Sequence, residues 1–136
     1  ICTDHGQFAM ERVVKLPRLK SLLVEGGVRG EDWAAITVAV ENHCRKELPR
    51  MHPHWTLTAV LKDADALDRV RLGDLDPRFF RFHESRDLVS FAEALYESTD
   101  SKLQEGPTFF AALWPIAQRL LGESDGGRHS LDMAHR

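Results

Sequence analysis

Six charged side chains fall within the segment TLTAVLKDADALDRVRL, among them Lys62, Asp65, Asp68 and Arg69. Read as a helix at about 100° per residue, this segment gathers Leu57, Val60, Leu61, Ala64 and Leu67 into an arc of roughly 120°. Asp68 then projects into the middle of the apolar arc, and Asp65 lies at its edge. A carboxylate on a buried face is costly unless a cation, a metal or several donors compensate it. Lys62 and Arg69 stand three and four residues from Asp65, within reach of an ion pair or of a phosphate. On periodicity alone, simple pairing of Asp65 and Asp68 with Arg69 or Arg71 is the favoured reading.

Histidines supply the second candidate chemistry. Asp4-His5-Gly6 opens a helix, and His43 closes another after the apolar run AAITVAV. A lone histidine near a helix end is more often a cap or a packing residue. Neutral imidazoles gathered near a carboxylate, however, are what a divalent metal requires. The spacing contains no local signature of the HExxH kind, so any such site must be assembled by the fold. His52, His54, His83, His129 and His135 read as loop or surface residues.

The elements that carry these residues are helical, and no stretch alternates with period two. A first helix follows Asp4, with Phe8, Val13 and Leu16 near one face. Pro17 starts a second, ended by Gly26-Gly27. A third is expected from about Glu31 to Lys46, and the loop LPRMHPH leads to a fourth, from Trp55 to about Leu72. One or two turns around Phe79 precede a fifth, SRDLVSFAEALYES, with Leu88, Phe91, Ala92 and Leu95 as its stripe. Pro107 sits at the start of a sixth, TFFAALWPIAQRLL, kinked or restarted at Pro115. Its Phe109, Phe110, Leu113 and Trp114 are expected in the core. The whole is a single all-α domain of about six helices over residues 1–121, with a polar, flexible tail over 122–136.

Composition narrows the function classes. A net charge of −3 over 136 residues leaves no strong nucleic-acid signal and no attraction to an anionic membrane. No apolar run approaches a membrane span. Cys2 and Cys44 have no CxxC spacing, so they are expected as reduced thiols of a cytoplasmic protein.

The motifs resemble those of HD-superfamily metal-dependent phosphohydrolases. LKDADALDRVRLGDL is similar to the family's last motif, whose helix supplies an Asp to the metal. DHGQFAME resembles the D-x-HG segment, and ITVAVENHCR a later A-I-x-x-H segment. All three stand in the family's order from about Asp4 to Phe80. The resemblance implies a hydrolase of a nucleotide or other phosphate ester, with a phosphorylated small molecule as its partner. It implies a divalent ion (Mn, Fe, Ni, Co, Zn or Mg) held by His5, His43 and Asp65, with Lys62 and Arg69 as catalytic cations. The sequence departs from the pattern, because the family's first His and its His-Asp pair precede the DHG segment. Here only Ile1, Cys2 and Thr3 do, and no His-Asp dipeptide occurs. The alternative expectation is thus a truncated or degenerate, non-catalytic HD-like module that binds a ligand or self-associates as a homo-oligomer.

Overall fold

A computed structural model describes residues 4–100 and 108–131, with side chains as far as residue 122. Cys2, Pro107 and the tail beyond Leu131 lie outside the described residues. Among them the chain is all-helical, without a strand: α1 His5–Lys15, α2 Pro17–Glu25, α3 Asp32–Asn42, α4 Trp55–Asp68, α5 His83–Asp87, α6 Val89–Thr99 and α7 Phe109–Leu131. Two 3₁₀ turns, Arg69–Leu72 and Pro77–Phe79, lie between α4 and α5. No described helix is long and apolar enough to cross a membrane. The chain divides into two compact units, Ile1–Ala66 and Leu67–Arg136.

In the first unit α1 packs on α3 and on α2. The buried residues of α1 are Gly6 and Met10, with Val13 half-buried one turn on, so the inward stripe follows the 3.6 period. This differs from the expected face, because Phe8 is 57% and Leu16 46% exposed. Gly6 decides the outcome. A Cβ at this position would stand 1.9 Å from the Val40 carbonyl oxygen and 2.9 Å from its carbon. Only a residue without a side chain lets the two backbones meet this closely. Once Gly6 faces α3, helical geometry turns Phe8 away.

The helix α3 stops at Asn42, earlier than the expected Lys46, and His43 to Lys46 form a turn. Asn42 is part of the reason, since its side-chain amide donates back to the Val38 carbonyl at 2.8 Å, a local competitor of the helical ladder. On α2, the Lys20 ammonium lies 5.8 Å from the centre of the Trp33 ring, which ties α2 to the start of α3.

The inward face of α4 also differs from the apolar arc. Thr58, Ala59, Lys62 and Asp63 are buried, whereas Leu57 and Val60 are 41% and 50% exposed. Polar groups can occupy the inside because each is compensated. Lys62 Nζ donates to the Arg45 carbonyl at 2.6 Å and lies 3.3 Å from Glu47. Thr58 Oγ1 donates to the His54 carbonyl at 2.9 Å. No buried side-chain nitrogen or oxygen among the described residues lacks a hydrogen bond.

In the second unit Gly73 ends the first 3₁₀ turn with φ of 70°, a left-handed cap that favours glycine. Asp76 caps the next turn by accepting from the Arg78 amide at 3.0 Å, and the Arg78 guanidinium holds its carboxyl below the usual range. The expected fifth helix is two, α5 and α6, broken at Leu88. α6 packs on α5, on the first 3₁₀ turn and on α7. The expected stripe of Leu88, Phe91, Ala92 and Leu95, now the residue before α6 and three residues within it, lines an apolar cavity of about 540 Å³ together with Phe109 and Leu113. Phe110 and Trp114, expected in the core, are 77% and 63% exposed. They follow each other by one turn on a face of α7 about 100° round from Phe109 and Leu113, so turning one pair toward the cavity leaves the other outside it. Helix α7 runs through Pro115 and continues past Gly122 to Leu131.

Two measurements check these packing arguments. Gly6→Ala should lower stability by about 3 kcal/mol, the upper end of over-packing penalties, because backbone rather than a flexible side chain must move. An unchanged urea midpoint would mean that α1 and α3 do not meet at Gly6. Tyr96 is the chain's single tyrosine. Its pKa lies above the ordinary value, chiefly because the hydroxyl donates to Asp100 and the carboxylate favours the protonated phenol. Asp100→Asn should therefore move the alkaline tyrosinate absorbance titration to lower pH.

Candidate metal centre

The turn after α3 and the first residues of α1 meet in the first unit. His43 is the C-cap of α3, and its Nδ1 lies 2.6 Å from the Val40 carbonyl oxygen. A carbonyl only accepts, so Nδ1 carries the proton and donates it. In the neutral ring this leaves Nε2 with a lone pair aimed outward. That atom lies 2.7 Å from His5 Nε2, across 38 residues of sequence. The ring planes are inclined by 73° with centroids 4.6 Å apart. One nitrogen must donate and the other accept at that distance, which assigns the shared proton to His5 Nε2 when both rings are neutral.

A third ligand atom joins them. One nitrogen from each of His5 and His43 and the Sγ of Cys44 all lie within 4.8 Å of one another. His5 is exposed, and His43 and Cys44 are half-buried, so the group opens to solvent on the α1 side. Two nitrogens bound to one tetrahedral zinc ion stand about 3.3 Å apart, given bonds of about 2.05 Å. The His5–His43 gap therefore needs to widen by only about 0.6 Å, within reach of side-chain rotation on an exposed residue. The group fits a metal that prefers nitrogen and sulfur ligands.

Charged and polar neighbours frame the group. The Arg45 guanidinium donates to Asp4 Oδ1 at 2.9 Å and to Gln7 Oε1 at 3.2 Å, bridging the turn to α1. Asp4 thus spends its side chain on Arg45, and makes no side-chain hydrogen bond to the helix it precedes. Lys62 holds the same turn from α4 through the Arg45 carbonyl.

The five residues singled out in the sequence divide accordingly. His5 and His43 come together. Asp65 is exposed on α4 and stands outside the ligand group, because the helix turns Asp63 inward and Asp65 lies about 200° further round. Lys62 is buried and committed to Arg45 and Glu47. Arg69 belongs to the second unit and pairs with Asp74. Cys44 and Arg45 are the residues that sequence reasoning passed over. Their signal was the tripeptide His43-Cys44-Arg45 itself, which fell inside the helix expected to run to Lys46, where neighbours point about 100° apart. In a turn that separation does not hold.

No family model, curated protein or solved structure matches the chain.

If Lys62 is a strut for this turn, Lys62→Met should cost about 2 kcal/mol, the worth of a hydrogen bond from a charged group. It should leave weak inorganic phosphate binding unaltered. Full stability together with lost phosphate affinity would instead make Lys62 a ligand-binding cation.

Proposed function

We propose that the first unit is a metal-dependent hydrolase of phosphate esters, with its divalent ion held by His5 and His43. The observation that carries this reading is the convergence of their two Nε2 atoms at 2.7 Å. A surface pair of imidazoles gains little from a mutual hydrogen bond, about 1 kcal/mol. Two imidazole nitrogens aimed at one point gain far more from a shared cation. A divalent ion at this point supplies Lewis acidity toward a phosphoryl oxygen and brings a bound water's pKa near neutrality.

The protein groups act around that point. The Val40 carbonyl fixes the His43 tautomer and ring orientation, as backbone acceptors behind metal-binding histidines commonly do. His5 leaves an open side through which an ester can approach. Arg45 offers the planar donor pair that matches phosphate. Its present partner, Asp4, is 56% exposed, and exposed ion pairs contribute only about 0–1 kcal/mol. A phosphate dianion can therefore take the Arg45 donors from Asp4 at small cost. Lys62 positions this arginine's backbone rather than meeting the substrate. The order of the DHG, NHC and KDAD segments supports the phosphate-ester class by resemblance to HD phosphohydrolases.

The test is hydrolysis of p-nitrophenyl phosphate and nucleoside monophosphates by the untagged full chain, with added Zn, Co, Mn or Mg and with chelator. Activity should require metal. His5→Ala and His43→Ala should each lower kcat/KM by about 100-fold or more, beyond the 10- to 100-fold typical of outer-shell changes. Asp65→Asn should leave it within a few-fold. Wild-type rates in both histidine variants would remove the basis of the proposal.

A further inference from the structure

The metal-binding half of that reading leaves open which ion the site selects, and Cys44 bears on it. We infer that Cys44 is the third ligand of the His5–His43 site, making it a thiolate-containing centre for zinc or cobalt rather than for magnesium or manganese. The inference rests on the metal site proposed above, and it does not depend on hydrolysis.

Two observations and the geometry of zinc lead to it. The Sγ of Cys44 shares a 4.8 Å sphere with ligand nitrogens of both histidines. Tetrahedral zinc places a sulfur at about 2.3 Å and a nitrogen at about 2.05 Å, hence roughly 3.5 Å from each other. The existing group needs adjustment by about an ångström, not a refolded loop. Asp65 is exposed on α4, and the group holds no Asp or Glu oxygen, so hard oxygen ligands do not complete it. Magnesium and calcium take oxygen ligands, whereas imidazole and thiolate favour zinc and cobalt.

The local fold also holds the thiol in register. His43 is anchored through Nδ1 to Val40, and Arg45 is anchored through its carbonyl to Lys62. Cys44 lies between these two fixed residues, so its backbone has little freedom to leave. On binding, the thiol loses its proton to solvent and the sulfur lone pair enters the metal bond. His5 keeps one ring proton by moving it from Nε2 to Nδ1, which frees the Nε2 lone pair. Three protein ligands leave one tetrahedral position open, the arrangement found in catalytic rather than structural zinc sites.

The experiment titrates cobalt(II) into the reduced, untagged full chain and follows the absorption spectrum. The expected result is one equivalent bound, visible bands of tetrahedral intensity and a near-ultraviolet thiolate-to-cobalt charge-transfer band. Cys44→Ser should abolish the charge-transfer band and weaken cobalt binding at least about tenfold, the lower end of what even outer-shell changes cost. Cys2→Ser should keep the band, and a large excess of magnesium should not diminish it. Circular dichroism of each variant establishes that it is folded. A wild-type spectrum without the charge-transfer band, or a band that persists in Cys44→Ser, would overturn the assignment. A full cobalt–thiolate spectrum without hydrolysis of phosphate esters would uphold this inference while refuting the activity proposed above.

Discussion

The close approach of Gly6 to the Val40 carbonyl is the constraint on which the first unit depends. It fixes the separation of α1 and α3 at a value that no residue with a Cβ permits. His5 is the residue beside Gly6, and His43 is three residues beyond Val40, so the same approach sets the distance between the two imidazoles. The Val40 oxygen also accepts the His43 Nδ1 proton. One backbone carbonyl therefore serves as a packing surface for α1 and as the orienting partner of the proposed ligand His43. Packing and chemistry cannot be tuned separately here, because any shift that relieves one disturbs the other.

A second constraint holds the turn that follows. The ammonium of Lys62 is taken out of water, which is costly for an isolated charge. The Arg45 carbonyl and the Glu47 carboxylate compensate it from 17 and 15 residues earlier in the chain. This pairing makes the polar face of α4 the inner one. It also determines what the turn presents outward, namely His43, Cys44 and the Arg45 guanidinium.

These long-range compensations explain what the sequence could and could not reveal. Helical periodicity and the Pro and Gly signals located the helices, because those effects are local. Pro17 and Gly26 bound α2 where expected, and Gly73 caps the turn after α4. The inner faces of α1 and α4 were not legible, since hydrophobicity alone ranks Phe8 above Gly6 and Leu57 above Lys62. A glycine required for backbone contact and a lysine paired with a distant carbonyl carry no periodic signal. The convergence of His5 and His43 was legible only as an ordered pair of motifs. Cys44 was hidden because the end of α3 at Asn42, rather than at Lys46, brings it toward the histidines.

The proposed ligand set would have an electrostatic consequence. The four primary ligands of the HD pattern are two histidines and two aspartates, whose carboxylates together cancel the charge of a divalent ion. Two neutral imidazoles and a single thiolate cancel only half of it. The remaining positive charge would sit beside Arg45, whose own charge is offset by Asp4 across a solvent-exposed pair. An anion that displaced Asp4 would meet both the metal's residual charge and the guanidinium, and Asp4 would regain its hydration. A phosphate dianion gains from both contacts, whereas a neutral ester gains from neither. The same balance acts on the bound water, since each negative ligand weakens the pull of the ion on its proton. Compared with two carboxylates, one thiolate would leave that pull stronger by one unit of charge. The proposed site, with fewer ligands than the HD pattern, would thus offer the two properties that phosphate-ester hydrolysis requires, attraction for a dianion and an acidified water.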